Sequence, residues 1–234
     1  MALASPPLPS SPLGGLAQSV RPVSLGGRLL PVSPPLAGLL PGGGLRRGST
    51  VAVVDSTSLA LALLAGPSAA GSWCAVVGVP TLGPAAAAEA GVDTARLAVV
   101  PAPGREWAAV VAALLDGLDV VAVCPPGRSL RDGDARRLAA RARERGAVLV
   151  PLGRWDGADV RLSVASSSWE GVEGGAGHLS ARLVEVVADG RGAAVRSRRA
   201  RLWLPSADGR ATSADVGQAA DTGAGLRVAG GSAG

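Results

Sequence analysis

The chain has 234 residues, a formal net charge of +5 and 47% hydrophobic residues, enough for one α/β domain with a substantial core. Its 23 basic residues are all arginine, so no site in it can use a lysine ammonium group. The isoelectric point near 11.0 admits contact with nucleic acid or an acidic protein, whereas two cysteines and one histidine are too few for a zinc set.

Residues 1–28 are dense in Pro, Ser and Gly and read as a flexible tail, as do residues 206–234, which carry few large apolar side chains to offset chain entropy. The folded domain is expected over residues 29–205. The N-terminus lacks a basic segment followed by an apolar stretch, so no secretory signal is read there. Ser49–Val54 is a β-branched apolar run and Ser56–Ala65 is apolar with helix formers, which predicts a strand and then a helix ended by Gly66 and Pro67. Residues 56–88 carry no charge, but Gly66, Pro67, Gly71, Gly78 and Pro80 interrupt them. The segment therefore reads as a buried helix and strand, not a membrane span.

Trp73–Val79 is a second apolar run, Pro84–Ala90 a helix with Pro in its first turn and Gly91 at its stop, and Leu97–Val100 a third strand. Gly104–Asp116 places Trp107, Val110, Val111 and Leu114 at helical spacing, and Leu118–Cys124 is again a strand. A basic helix is predicted over Asp132–Gly146, with Leu138, Ala139 and Ala142 as its apolar stripe and its arginines as a solvated face, followed by a strand over Ala147–Leu152. This alternation implies a mostly parallel sheet with helices on both faces. After Trp155 the pattern becomes polar and apolar in turn over Ala158–Val164, Leu179–Val187 and Val195–Leu204. That predicts an antiparallel edge hairpin, with its turn at Ala188, Asp189 and Gly190. Both cysteines, Cys74 and Cys124, fall in apolar runs as small buried hydrophobes, and His178 is placed in a loop or at an edge.

The unit GSTVAVVDSTSLALALLA, from Gly48 to Ala65, has the strand, turn and helix layout of a phosphate-binding loop. Its turn reads Asp55, Ser56, Thr57 and Ser58, with neither the glycines that cradle phosphate nor the lysine. No His or Lys base accompanies the three hydroxyls, which are expected to cap the helix.

The order of elements and the strings LLPGGGLRRGSTVAVVD, WCAVVGVPTLGPAAAAEAGVDTARLAVVPAP, LDVVAVCPP and ARLVEVVADGRGAAVRSRRARLWL together resemble the RecA-like P-loop NTPase-type core over roughly residues 30–205. The resemblance implies a nucleotide site whose groups are missing. The Walker A positions fall within Asp55–Leu59, the family's catalytic glutamate corresponds to Pro80, and the Walker B aspartate corresponds to Cys124. No catalytic residue, cofactor or metal is therefore expected. LRRGSTVAV, AGSWCAVVG and RRLAARARERGAVLVPLG further resemble the actinobacterial ImuA-prime group of mutagenesis-cassette proteins.

That second resemblance implies a non-enzymatic, cytoplasmic accessory role in damage-induced translesion synthesis and SOS mutagenesis. Its partners would be a polymerase-like cassette protein and an error-prone polymerase, with RecA and single-stranded DNA as further candidates. The alternatives are a RecA-filament regulator, a single-stranded-DNA-binding module and a nucleotide-binding enzyme with a non-standard site. Candidate contacts are Arg191, Arg196, Arg198, Arg199 and Arg201, which could hold DNA phosphates or an acidic partner or could simply guard a sheet edge. Trp203 would share the strand face of Arg201, to stack on a base, anchor a partner or bury itself at the edge.

Overall fold

An uncharged helix of thirteen residues with leucines around its circumference has no charged side to turn to water, and the architecture encloses most of it. The computed structural model describes residues 27–125, 132–173 and 176–214; the expected flexible tails fall largely outside them. β1 (Leu29–Pro31), α1 (Pro34–Ala37) and β2 (Gly44–Arg46) precede β3 (Val51–Val54) and the helix in question, α2 (Thr57–Ala69). Then come β4 (Cys74–Val77), α3 (Pro84–Glu89), β5 (Leu97–Val100), α4 (Trp107–Gly117), β6 (Val120–Val123), α5 (Asp132–Arg145) and β7 (Val148–Pro151). β8 (Val160–Glu173), β9 (Ala176–Gly190), β10 (Arg198–Trp203) and β11 (Thr212–Ser213) complete the described chain.

The strands β5-β4-β6-β7 form a parallel sheet, and β3-β8-β9-β10-β11 a mixed one in which β3 and β8 run parallel and the rest antiparallel. Parallel bridges from Thr50 to Leu149 and from Val53 to Leu152 join β3 to the β7 side, with Leu149 N–H donating to Ser49 O at 3.1 Å and Gly153 N–H to Val53 O at 2.7 Å. The chain is thus an α/β fold with helices on both faces and an antiparallel extension at one edge. Among the described residues no helix is long and apolar enough to cross a membrane.

The strand periodicity of two sorts the core into two layers. Val51, Val53, Cys74, Val76, Val120, Ala122, Val148 and Val150 point to the face covered by α2 and its neighbours. Ala52, Ala75, Val77, Val121, Val123 and Leu149 point to the other, against Trp107, Val111 and Leu115 of α4 and Ala135, Leu138 and Ala142 of α5. This is the two-sided burial that continuous Val and Ala runs require.

Four details differ from the sequence reading. Gly66 and Pro67 do not end α2, which continues to Ala69. Gly66 is instead where the backbone of β1 crosses the helix, since a Cβ there would lie 2.7 Å from Pro31 O and from Val32 Cα. Ala188, Asp189 and Gly190 belong to β9, and the turn falls later, around a short 3-10 segment at Gly192–Ala194. β8 and β9 run on past their expected ends, and residues 169–173 and 176–181 form a two-stranded arm beyond β10, so His178 lies in a strand at the sheet edge, the second of its two expected positions. Finally, residues beyond Pro205 contribute a turn and β11, so the ordered edge extends past the expected boundary.

Charged groups tie the layers at their rims. Arg47 pairs with Asp119 at 2.8 Å in a largely buried site, and the other carboxylate oxygen of Asp119 accepts from Trp73 N–H at 3.0 Å, which joins the lead-in to β3 with the starts of β4 and β6. Arg141 of α5 grips Asp116 of α4 with two bonds of 2.6 Å, and Arg145 reaches the same carboxylate at 3.2 Å. The basic helix is therefore partly an ion-paired strap, not only a solvated face.

The Arg141 hydrogen bond holds the Asp116 carboxyl below its usual range. A depressed folded value stabilises above the unfolded value near 4 and is lost as pH falls through the folded one. Asp116→Asn is expected to lower Tm by about 1–3 °C at pH 7, with the difference from the parent shrinking as pH falls below the ordinary carboxylate range in thermal melts. Asp119→Ala, which strands the Arg47 guanidinium and an amide, is expected to cost about 3 kcal/mol in urea unfolding.

Candidate functional site

In a sheet wound in this order, ligand chemistry gathers at the carboxyl ends of the parallel strands, beside the point where successive connections diverge. β3 occupies that point, because the chain leaves it for β4 on one side and returns to β8 on the other. The turn after β3 is tight: Asp55 adopts a left-handed φ of 51°, and its side chain is exposed. Asp tolerates this conformation better than most residues because its short carboxylate can interact with nearby backbone.

Ser56 is buried and caps α2, its Oγ accepting from Leu59 N–H at 3.2 Å and lying 3.3 Å from Ser58 Oγ. Ala60 N–H donates to Ser56 O at 3.2 Å. Ser56 Oγ thus caps the Leu59 amide, the Ala60 bond is the first regular bond of the helix, and Asp55 stands exposed just ahead of the cap. A phosphate would need free amides and a cation there. The capping role read from the three hydroxyls belongs to Ser56; Thr57 is exposed.

The other two segments align at the same end of the sheet. Gly78, with φ 77°, donates its N–H to Val100 O at 2.9 Å, and Cys124 N–H donates to Val77 O at 2.8 Å. A Cβ on Gly78 would collide with the Cys124 carbonyl oxygen, so only glycine lets the ends of β4 and β6 close on each other. Pro80 is exposed two residues on, and Cys124 is half-buried rather than enclosed. β7 lies between β6 and β3, which sets Cys124 and Asp55 two strand spacings apart, about 10 Å. The fold therefore brings Asp55, Ser56, Thr57, Ser58, Pro80 and Cys124 to one rim, but their functional groups offer a carboxylate, hydroxyls and a thiol.

A cleft of about 700 Å³ opens beside this rim, between the start of α2, α3 and the turn after β10. Its apolar wall includes Leu61, Val79 and Leu204, and its charged lining residues are Glu89 and Asp208. Hydrogen bonds from Ser206 Oγ–H and Arg210 N–H keep the Asp208 carboxyl below its ordinary range. The cleft is anionic, the wrong sign for a nucleotide. No three His, Cys, Asp or Glu side chains converge as a metal set among the described residues.

The arginines grouped by sequence are divided by the strand they share. In β10, Arg199, Arg201 and Trp203 project from one face, opposite Val187, Glu185 and Leu183 of β9, while Ala200 and Leu202 enter the core face. Arg199 binds Glu185 at 2.9 Å. Arg198 alternates to the core side, where its Nη1 is enclosed without a hydrogen-bond partner. Arg191 and Arg196 are exposed on the connection before the strand, and Trp203 is half-buried. Sequence reading missed the carboxylates Glu185 and Asp189 interleaved with this cluster. Their signal was the same β9 alternation that predicted the strand.

These features define a class: an α/β protein with a mixed sheet whose central strand leads through a capped, acidic turn into a buried helix. Residues 38–157 match the model of the MT3502 N-terminal domain, and the chain belongs to that family. The matched region runs from just after α1 through β7 and includes the whole rim, whereas β8–β11 lie beyond it. No curated protein matches the chain.

The two thiols differ sharply in environment. Burial, with a contribution from the Asp119 charge, pushes the Cys74 thiol up to about 12. Because the thiolate is the reactive form, iodoacetamide at pH 8 is expected to label Cys124 in the native protein and Cys74 only after unfolding, as read by peptide mass spectrometry.

Proposed function

We propose that this protein is a RecA-like domain that acts without catalysis as an accessory factor in damage-induced translesion synthesis, docking to a polymerase-like partner. The observation that carries the reading is the turn after β3. Asp55 presents a carboxylate where a P-loop presents amides and a lysine, and Ser56 takes up the Leu59 N–H that a phosphate would require. The strand-to-helix layout, with β3 central and the Cys124 strand two places away, supports the RecA-like core. Pro80 and Cys124 at the same rim support loss of its chemistry. The resemblance to the actinobacterial ImuA-prime group supplies the cellular role, and a cytoplasmic setting follows from it. The basic face of β10, with Arg199, Arg201 and Trp203, is the docking surface in this reading.

A second reading, regulation of a RecA filament, is favoured by β5. This strand is an open, uncharged edge with Val99 38% exposed, a template for pairing with another chain.

Pull-downs with the polymerase-like cassette protein, RecA and single-stranded DNA as separate baits distinguish these. Capture by the cassette protein, weakened about tenfold by combined Arg196→Ala, Arg199→Ala and Arg201→Ala, is the expected result. Capture by RecA alone selects the filament reading. A saturable rise of Tm with ATP and magnesium would overturn the non-catalytic reading.

A further inference from the structure

We propose that the cleft between α2, α3 and the turn after β10 receives an extended segment of a partner protein in which arginine or lysine alternates with apolar residues. The inference goes beyond the translesion reading and uses a different surface from the arginines of β10.

The cleft, of about 700 Å³, is walled by described residues on three elements and held open by close packing. The turn after Pro205 closes on itself, with Ser206 N–H donating to Arg210 O at 2.9 Å and Gly209 N–H to Ser206 O at 2.8 Å. Gly209, with φ 84°, sits against the end of α3, where a Cβ would come within 2.9 Å of Glu89 O. Glycine alone lets the turn seat there, so Asp208 and Glu89 line the cleft from adjoining backbone. The described chain then passes through β11 to Ala214, opposite Arg201, further down β10 than Leu204 at the cleft.

Apolar and charged groups are sorted by depth. Leu61 and Leu204 form the deep side, and Val79, Leu82 and Pro205, each half-buried, offer apolar surface above them. Glu89 and Asp208 are exposed at the lip. Asp208 uses one carboxylate oxygen to accept from Ser206 Oγ–H and Arg210 N–H, which keeps the group ionised and leaves its second oxygen free among the described residues. Glu89 has no hydrogen bond or ion pair among the described residues. The arginines around the cleft turn elsewhere. Arg210 lines a separate cavity of about 260 Å³ beside Gly91, and Arg182 lies over Trp169 and donates to Ser167 Oγ at 3.1 Å.

This sorting selects the ligand. An extended segment turns successive side chains to opposite sides, so alternation would seat apolar groups against Val79 and Leu82 while cations meet the lip carboxylates. A compact free cation would reach the carboxylates but leave the apolar surface uncovered, and a phosphate-bearing ligand would meet charge of its own sign. Because the whole chain carries +5, attraction of a cationic peptide has to be local to the cleft.

The test is fluorescence anisotropy on the full chain with a labelled peptide of about seven residues alternating Val and Arg. The comparison probes are the Val and Glu equivalent and the Gly and Arg equivalent, which keeps the charge and removes the apolar side chains. Saturable binding of the Val and Arg peptide alone is expected. It should weaken about tenfold on combined Glu89→Gln and Asp208→Asn and be unchanged on Glu106→Gln, an exposed carboxylate ahead of α4. It should be lost on Ala86→Arg, which sets a cation on an exposed position of the α3 wall and leaves the core untouched. Failure of the Val and Arg peptide to bind, equal binding of either comparison probe, or equal weakening by Glu106→Gln would overturn the proposal. So would a gain of about tenfold when Arg21, Arg128, Arg131 and Arg227, the arginines outside the described residues, are all replaced by Gln, which would give the cleft to the chain's own segments. The assay contains no polymerase, RecA or nucleic acid, so its failure and the failure of the translesion reading are distinguishable.

Discussion

The enclosure of α2 is the constraint on which the rest depends. Leu59, Leu63 and Leu64 are fully buried, and Ala60, Leu61 and Ala62 nearly so, so the helix needs apolar cover around its circumference. The central sheet supplies one side. The lead-in of β1, α1 and β2 supplies the other, with Leu30, Leu36, Leu39 and Leu45 in the same core. Burial of side chains of this size contributes about 2 kcal/mol each. The close crossing at Gly66 follows from it, since the lead-in backbone must approach the helix without an intervening side chain.

A helix held this way begins where β3 ends, which puts its first turn at the carboxyl rim of the sheet. In a P-loop protein that position exploits unsatisfied amides and the positive end of the helix. Here one of those amides, Leu59 N–H, is engaged by Ser56 Oγ, and Asp55 adds a negative charge near the helix start, which the helix dipole favours. The anionic cleft alongside it has a wall that is again built on α2.

The antiparallel half has a different character. Its inner face joins the α2 core through Val184, Val186 and Leu202, whereas its outer face carries arginines and carboxylates in alternating pairs. Such a face neither buries a helix nor holds a polyanion evenly.

Much of the parallel half was legible in the chain. Continuous Val and Ala runs mark strands covered on both faces, and Leu97–Val100 begins and ends where its composition says it should. The capping role of Ser56 and the burial of the uncharged stretch were also local properties, set by hydrogen-bonding reach and hydrophobicity. The extension of β8 over residues 166–173 was not legible, because its serines and glycine carry no alternation and that segment is held by pairing with β9. Nor could arginine spacing reveal that Arg198 faces inward while Arg199 and Arg201 face Glu185. Elements and caps follow from short-range periodicity and side-chain chemistry, which the sequence contains by itself, whereas Pro80 and Cys124 were singled out by the resemblance to the RecA-like core. The insertion of β3 between β7 and β8 and the meeting of Gly78 with Cys124 were decided by tertiary structure alone. They arise from contacts between distant residues, whose partners are set by which faces and edges remain to be covered.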